Sequence, residues 1–558
     1  MDASMIRCSQ VLPGRSDLGS VHAVRVCAFN KASQQAKASS SSTMNSNLRL
    51  LQTLARPSSR SARLTIKAAS AEPRVADRVC GTRRSSHIDT LKLYVGMPMD
   101  AVSDSGTVNH ARAIAAGLKA LKLLGVDGIE LPIWWGFAEK EAMGKYDWTG
   151  YLAVAEMIHK LGMKLHVSFC FHASSSTEHK ISLPDWVCRI GESDPSSIFY
   201  TDRSGRQYKD CLSLAVDDLP VLDGKTPLQV YQAFCESFKA AFSKFMGSTI
   251  TGISIGLGPD GELRYPSHHH QASKSRKKLV GVGEFQCYDK NMLSHLKHHA
   301  EVIGNPLWGL GGPHDAPSYD ELPSSSSFFK DHGGSWETAY GNFFLSWYSK
   351  QLIAHGDRLL SAAASTFRDS PITVSGKLPL IHYWFKTRSH PAELTAGIYN
   401  TVIRDGYEEM IEMFSRNGCS IVLPGMDLCD EQQPSESLSS PESLLAHIMS
   451  SCTKHRVEIM GQNSVASNAT GSSFQQMKKN LLHEEEGAAA AISLLTYQRM
   501  GAHFFSPEHF PLFTNFIQNL REMGLDADDQ PAAGKEEEQA AAGAGRFLSG
   551  RELQELAA

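Results

Sequence analysis

Two segments of the chain place polar side chains where catalytic groups are often found. In the first, GLGPDGELRYPS, closely spaced glycines and Pro259 shape a loop that presents Glu262 beside Arg264 and Tyr265. A carboxyl group among aromatic and basic side chains can serve as a proton donor. The alternative is that Glu262 and Arg264 form a simple surface ion pair. The loop therefore predicts either a general acid or an exposed salt bridge.

The second segment, IMGQNSV (459–465), ends an apolar run with a glycine and an uncharged amide, Gln462. A glutamine side chain has the shape and hydrogen-bonding reach of glutamate. Its amide has no basicity near neutral pH and cannot accept a proton from water. If the ends of strands carry this chain's chemistry, Gln462 can position a ligand but cannot act as a base.

A pair of tryptophans offers a third candidate. Trp134 and Trp135 follow an apolar run in the segment IWWG. Their flat faces suit stacking on a ring-shaped ligand such as a sugar. Tryptophan at the end of a strand is also a common core residue. Both interpretations remain open from the sequence.

The elements that must position these residues are eight short apolar or β-branched runs separated by longer helical patterns. The runs are 91–98, 128–135, 164–171, 250–258, 372–378, 419–426, 456–463 and 491–499. Between the first two, apolar residues such as Leu118 and Leu121 recur every three or four positions, as on one face of a helix. The alternation predicts an α/β fold, a (β/α)8 TIM barrel with long inserted loops. A doubly wound open sheet is the alternative.

Composition limits the classes of function. The 558 residues are 42% hydrophobic and 20% charged, which is typical of a globular protein, and no apolar run reaches the roughly 18 residues of a membrane span. The formal net charge of −4 gives no argument for nucleic acid as a partner. The 11 cysteines include no C-x-x-C pair, which favours free thiols over a zinc site or disulfides. We expect no metal and no cofactor.

The two ends of the chain differ from the rest. Residues 1–67 are rich in Ser, Ala and Arg and poor in acidic residues, which predicts an organelle transit peptide or, alternatively, an ordinary disordered terminus. Residues 68–88 are interpreted as a linker and 89–524 as the barrel. Residues 525–558 form an acidic, Ala-rich tail of low complexity, which is expected to be disordered.

A basic insertion follows the Glu262 loop. The segment HHHQASKSRKK (268–278) combines three histidines with lysines and arginine. It suggests a metal or anion patch, or else a solvated loop, because a triple histidine fixes no coordination geometry by itself.

Several long segments resemble the plant β-amylase family, glycoside hydrolase family 14. These inverting enzymes release maltose from the non-reducing ends of α-1,4-glucans. The resemblance extends from about Leu91 to Gly524 and is carried, in chain order, by IWWGFAEKEAMGKYDW, GLGPDGELRYPS, GVGEFQCYDK, FFLSWYSKQLIAHGD, IHYWFKTRSHPAELTAGIYN and RDGY. It implies a TIM barrel and an α-glucan such as starch or maltodextrin as the ligand. The predicted transit peptide, in which IKAA (66–69) resembles a plastid processing site, predicts the chloroplast stroma as the location.

The resemblance also assigns roles to residues. An inverting glycosidase needs a general acid and a general base on opposite sides of the scissile bond. Glu262 matches the family's acid, and the base is a glutamate in a Gly-Glu-Asn segment that reads Gly461-Gln462-Asn463 here. The base is therefore substituted, a change that typically lowers the rate by about 10²–10⁴. The positions that match the family's substrate-binding residues are Trp135, Lys377, His382, Asn463 and Arg499.

Other family positions also differ. The glycine-rich lid of the family is replaced by CFHASSSTEHKISLP, with Thr177 or Glu178 near the place of its aspartate. Pro132 stands for the aspartate before the tryptophan pair, and Pro424 for a threonine. Neither proline offers a polar side chain to a sugar. The retained residues either bind a glucan weakly or serve packing alone.

Two functions follow from the resemblance. One is a non-catalytic β-amylase-like protein that acts in starch degradation as a glucan-binding or regulatory protein, with a possible protein partner. The other is a weak β-amylase in which Asp427, Asp430 or Glu431 supplies the base. That base must lie about 6.5–9.5 Å from the carboxyl group of Glu262.

Overall fold

The computed structural model describes residues 91–174, 180–194, 198–268, 279–464, 470–482 and 492–525. The predictions of a transit peptide, a linker and a C-terminal tail concern residues that lie outside these ranges, apart from residue 525. The same holds for residues 269–278 of the basic insertion.

Eight parallel strands close into a barrel in the order β1-β10-β9-β8-β7-β6-β3-β2. They are β1 (Lys92–Gly96), β2 (Gly128–Trp134), β3 (Lys164–Cys170), β6 (Ile250–Ile255), β7 (Thr373–Lys377), β8 (Ser420–Leu423), β9 (Ile459–Gln462) and β10 (Ile492–Tyr497). All eight lie within the predicted runs. The prediction of a (β/α)8 barrel is confirmed, and the open-sheet alternative is wrong because β1 pairs with β10.

Helices connect these strands on the outside of the barrel. They are α1 (Ala111–Leu124), α2 (Trp135–Ala138), α3 (Thr149–Lys160), α4 (Asp185–Ser193), α5 (Pro227–Ala241), α6 (Lys290–Val302), α7 (Ala339–Phe367), α8 (Pro391–Thr395), α9 (Tyr407–Arg416), α10 (Pro441–His455), α11 (Gly471–Leu481) and α12 (Phe510–Leu525). None of the helices in the described ranges is both long and apolar enough to cross a membrane.

The connection between β3 and β6 contains an antiparallel hairpin that the sequence reading did not predict. Its strands are β4 (Phe199–Thr201) and β5 (Gln207–Leu212). The first has only three residues, too few to show a two-residue alternation of apolar and polar side chains.

Most of the core lies between the barrel strands and the surrounding helices. Helix α1 buries the predicted stripe, including Leu118 and Leu121, and ends at Gly125, whose φ of 88° is in the left-handed region that favours glycine. A second, smaller apolar cluster is formed by Tyr94, Val422, Met460 and Leu494. These four residues come from β1, β8, β9 and β10.

Two large polar residues lie side by side in the barrel, between two glycines of the neighbouring strands. Glu130 of β2 pairs in register with Gly96 of β1 on one side and with His166 of β3 on the other. His166 in turn pairs with Gly252 of β6. A Cβ atom on Gly252 would lie 2.4 Å from His166 Nδ1, far inside van der Waals contact. The glycine is therefore what leaves room for the imidazole.

We expect Gly252→Ala to lower the free energy of unfolding by about 1–3 kcal/mol, because the methyl group and the His166 ring cannot both fit. Urea unfolding of the two proteins measures the difference. Gly311→Ala is the matched control, since a Cβ atom there meets no atom within 4 Å. Equal stability losses at the two sites would contradict the packing argument.

Candidate active site

The carboxyl ends of the barrel strands surround a cavity of about 890 Å³. Active sites of TIM barrels lie at this end of the barrel. The polar residues that line the cavity are Glu130, His166, Ser168, His172, Ser174, Ser254, Asp260, Glu262, Lys377, Gln462, Asn463, Ser464, Thr496, Gln498 and Arg499. Five of the predicted site residues are thus brought together: Glu262, Lys377, Gln462, Asn463 and Arg499.

Glu262 is held by the loop that follows β6. A short turn, Pro259–Gly261, reverses the chain, and Leu263 N donates a hydrogen bond to Lys377 O at 3.0 Å. This bond fixes the Glu262 loop against the end of β7. Tyr265 anchors the far side of the loop by stacking on Tyr348, with ring centroids 3.9 Å apart. Glu262 and Lys377 therefore enter the cavity from neighbouring strand ends.

The predicted pair of Glu262 and Arg264 is present, but it lies within the cavity wall and not on the open surface. Arg264 Nε donates to Glu262 Oε2 at 2.7 Å, and Arg264 Nη2 donates to Asp260 Oδ2 at 2.6 Å. The side chain of Glu262 is only 19% exposed. Burial alone would lower the pKa of Arg264, but the two carboxylates outweigh it and raise its pKa above the ordinary value.

Gln462 is the last residue of β9 and lines the cavity. The residue is 5% exposed, and the Oε1 atom of its side chain has no hydrogen-bond partner within the described ranges. The main-chain oxygen of Gln462 accepts a hydrogen bond from Met426 N at 3.1 Å. The strand end is thus fixed, while the amide oxygen is buried without a partner in this part of the chain.

Asn463 ties the end of β9 to the segment after β10. Its Nδ2 donates to Gln498 O at 3.0 Å, and Gln498 N donates to its Oδ1 at 2.6 Å. This pair of bonds positions the next residue, Arg499, whose Nη1 donates to Met97 O at 3.4 Å. Burial lowers the pKa of Arg499, and the carboxylate of Glu130 opposes that shift. Asn463 therefore joins the ends of two neighbouring strands by hydrogen bonds, and it also lines the cavity.

Two predicted binding residues, Trp135 and His382, do not line the cavity. Trp135 is 0% exposed and packs edge-on against Phe171, Trp186 and Tyr231, while its Nε1 donates to Glu139 Oε2 at 2.7 Å. Trp134 lines the cavity instead. The chain changes from strand β2 to helix α2 between the two tryptophans, so they point in different directions.

His382 is the second of these residues. It is buried, with Nδ1 2.6 Å from Ser439 Oγ, and its neighbour Ile381 lines the cavity. The hydrogen bond joins the loop after β7 to the loop after β8. His382 thereby supports the wall from behind.

The carboxylates considered as substitute bases lie outside the cavity lining. Asp427 is buried and accepts hydrogen bonds from Ser464 N at 2.6 Å and Ser464 Oγ at 2.7 Å. Asp430 accepts from Ser440 Oγ at 2.6 Å. Glu431 follows it in an exposed turn. None of the three contributes to the lining of the cavity among the residues that the structure describes.

The substituted wall positions lie where the sequence placed them. Pro132 and Pro424 both line the cavity, so each removes a polar side chain from its wall. The described ends of the loop after β3 are joined by a bond of 2.8 Å from Ser174 N to Ile181 O. Thr177 and Glu178, the residues compared with the family's lid, lie outside the described residues.

Ten polar residues of the cavity lining were not predicted from the sequence, and they include Glu130, His166, His172 and Gln498. Glu130 and His166 each interrupt an otherwise apolar run, in GIELPIW and KLHVSFC. A lone charged or polar residue inside a buried parallel strand is unusual and is a usable signal. In the described part of the chain, no group of three or more His, Cys, Asp or Glu side chains is placed to hold a metal ion.

A closed (β/α)8 barrel with acidic and basic groups at its carboxyl-terminal mouth defines the structural class, and comparison with known proteins gives the family. Residues 94–526 match glycosyl hydrolase family 14. The chain belongs to this family, the β-amylases.

Curated relatives agree with the family assignment. An Arabidopsis thaliana protein named inactive beta-amylase 9 is 60% identical over 465 residues, which cover 83% of this chain and 84% of that relative. Beta-amylase 1, chloroplastic, from the same organism is 40% identical and covers 77% and 75% of the two chains. Inactive beta-amylase 4, chloroplastic, is 37% identical over 457 residues, 79% of this chain and 84% of that relative.

A solved structure supports the fold. The catalytic domain of beta-amylase from Paenibacillus polymyxa superposes with a TM-score of 0.63 at 23% identity, covering 77% of this chain and 99% of that domain. At this identity the likeness concerns the fold alone.

The buried imidazole of His166 makes stability depend on pH. Burial lowers the pKa of His166 from 6.5 to about 4, although Glu130 opposes the shift. Between these values the unfolded chain binds one proton more than the folded chain. The contribution of His166 is therefore fully favourable above pH 6.5 and declines as the pH falls towards 4, by about 1.4 kcal/mol per pH unit.

Between pH 6.5 and 4, we expect His166→Gln to reduce the slope of the unfolding free energy against pH by about 1.4 kcal/mol per pH unit. Urea unfolding at pH 7.0, 6.0, 5.0 and 4.5 measures the slopes. His298→Gln, on the exposed surface of α6, is the control. Parallel curves for His166→Gln and the wild type would show that His166 does not take up its proton on unfolding.

Proposed function

We propose that this protein is a non-catalytic β-amylase-like protein that binds an α-1,4-glucan in the barrel cavity. Its role is that of a glucan-binding or regulatory protein in starch degradation, and a regulatory role includes a possible protein partner. The observation that carries the proposal is Gln462 at the end of β9, in the place where family 14 enzymes have their basic glutamate.

The amide at position 462 separates binding from hydrolysis. It is fixed by β9 and faces the cavity, so it can hydrogen-bond a water molecule or a sugar hydroxyl. It cannot take up the proton that attack by that water releases. Asp427, the proposed substitute that follows β8 most closely, uses both carboxylate oxygens to hold Ser464. A replacement base from that loop is therefore disfavoured.

The chemistry of the cavity supports a neutral polyhydroxyl ligand. Carboxylates of Glu130, Asp260 and Glu262 share the lining with the cations Lys377 and Arg499, so neither sign of charge dominates. Trp134 and the apolar residues Val422, Met460 and Leu494 also line the cavity. Such a combination of aromatic, apolar and hydrogen-bonding groups suits sugar rings, which have apolar faces and hydroxyl edges.

The plastid stroma is the proposed location. Two relatives at 40% and 37% identity are named chloroplastic. The acid-poor composition of residues 1–67 supports the same proposal.

Restoring the carboxylate tests the role of position 462. We expect the wild-type protein to release maltose from soluble starch at least about 100-fold more slowly than an active β-amylase, and Gln462→Glu to raise its rate by roughly 10²-fold or more, because a general base contributes on that order. A reducing-sugar assay with chromatographic identification of maltose measures both rates.

The control for this comparison is Gln518→Glu, the same chemical change on the exposed surface of α12. Brisk maltose release by the wild-type protein would refute the non-catalytic function. No gain in Gln462→Glu would refute the claim that the missing base is what separates binding from hydrolysis.

A further inference from the structure

The lining of the cavity contains a carboxylate that sequence comparison did not point to, Glu130. It lies two residues before Pro132 on β2, and both side chains line the cavity. Two residues along a strand correspond to a distance of about 6.6 Å, so Glu130 is one pleat deeper than the proline. The residue is 7% exposed, and its Oε2 accepts a hydrogen bond of 3.0 Å from Gln498 Nε2.

The bond between Glu130 and Gln498 crosses β1. Gly96 of β1 makes this possible, since a Cβ atom there would lie 2.6 Å from Gln498 Oε1. The amide oxygen of Gln498 lies against Gly96 and has almost no accessible surface. In the part of the chain that the structure describes, this oxygen has no hydrogen-bond partner, although the residue is 7% exposed.

A second orphan acceptor lies nearby. Gln462 pairs in register with Thr496, two residues before Gln498, so the amides belong to neighbouring strand ends. Gln462 Oε1 also lacks a partner within the described ranges. Both amide oxygens are almost fully buried, so Glu130 is the acceptor that this part of the cavity lining offers to a ligand with hydrogen-bond donors.

Below Glu130 the cavity is apolar. Leu494 and Met460 precede Thr496 and Gln462 by two residues on their strands, and both line the cavity with Val422. A carboxylate above an apolar floor matches the end of a sugar chain, whose terminal ring carries hydroxyl groups around an apolar face. A continuous glucan chain cannot pass through this closed floor.

We propose that Glu130 determines ligand specificity in this cavity by accepting hydrogen bonds from hydroxyl groups of the terminal glucose unit of a linear α-1,4-glucan. The inference rests on the proposed glucan-binding function and deepens it. The acceptor that Pro132 no longer supplies is replaced one pleat further into the barrel, so the terminal ring reaches the level of Gln498.

Isothermal titration calorimetry of the full-length protein with maltotriose tests this assignment. Glu130→Gln keeps the shape of the side chain but removes the charged acceptor, and we expect it to weaken binding by about 10- to 100-fold. Glu412→Gln, on the exposed surface of α9, is the matched control and should bind as the wild type does.

Four maltotriose analogues, each lacking one hydroxyl group of the non-reducing terminal glucose, distinguish a direct contact from a structural effect. We expect at least one analogue to bind the wild type more weakly than maltotriose does. The same analogue should bind Glu130→Gln as well as maltotriose binds that variant. Equal losses in both proteins for every analogue would overturn the contact. If Glu130→Gln does not fold, Glu130→Asp, which keeps the charge on a shorter side chain, takes its place in the same cycle.

The outcomes separate the two proposals. If the wild type binds maltotriose and Glu130→Gln binds it with the same affinity, the assignment of Glu130 is overturned and the glucan-binding function stays in place. An absence of measurable maltodextrin binding in the wild-type protein overturns the glucan-binding function itself.

Discussion

Hydrogen bonds between β1 and β10 close the sheet, and the position of every cavity residue depends on that closure. The pairing of Lys92 with Leu494 through Val95 with Tyr497 joins the two ends of the barrel across most of the chain. It brings Gln498, after β10, to the opposite side of β1 from Glu130. Without it, the carboxyl ends of the strands would not surround a common cavity, and Glu130 would not meet Gln498.

Within this frame, the difference between an amide and a carboxylate separates two functions of one fold. Glu262 and Lys377 remain fixed to each other through the main chain, and Asn463 still ties β9 to the segment before Arg499. The strand ends around the cavity are therefore held in place. In the proposed function, the family's base corresponds to position 462, and the neutral amide there cannot remove a proton. Pro132 and Pro424 contribute two non-polar side chains to the lining.

The eight barrel strands could be predicted from sequence because their apolar runs are bounded by helical patterns, and the strand ends then located Glu262 and Gln462. The direction of individual side chains could not. Both faces of a barrel strand are buried, so periodicity does not tell inside from outside, and this hid the role of Glu130. The change from β2 to α2 between Trp134 and Trp135 decides which indole lines the cavity. Sequence patterns do not locate the end of a strand to a single residue. His382 matched a family position but turns towards Ser439, a contact made across two loops.

The central claim is that the cavity holds a glucan without hydrolysing it. The most direct test is the proton NMR spectrum of a maltodextrin incubated with the full-length wild-type protein, followed at its anomeric signals. Inverting hydrolysis of α-1,4 bonds produces maltose in the β form. The account predicts a spectrum that stays unchanged over hours at a protein concentration at which an active β-amylase converts the sample within minutes. A growing β-anomeric signal of maltose, abolished by Glu262→Gln, would contradict it.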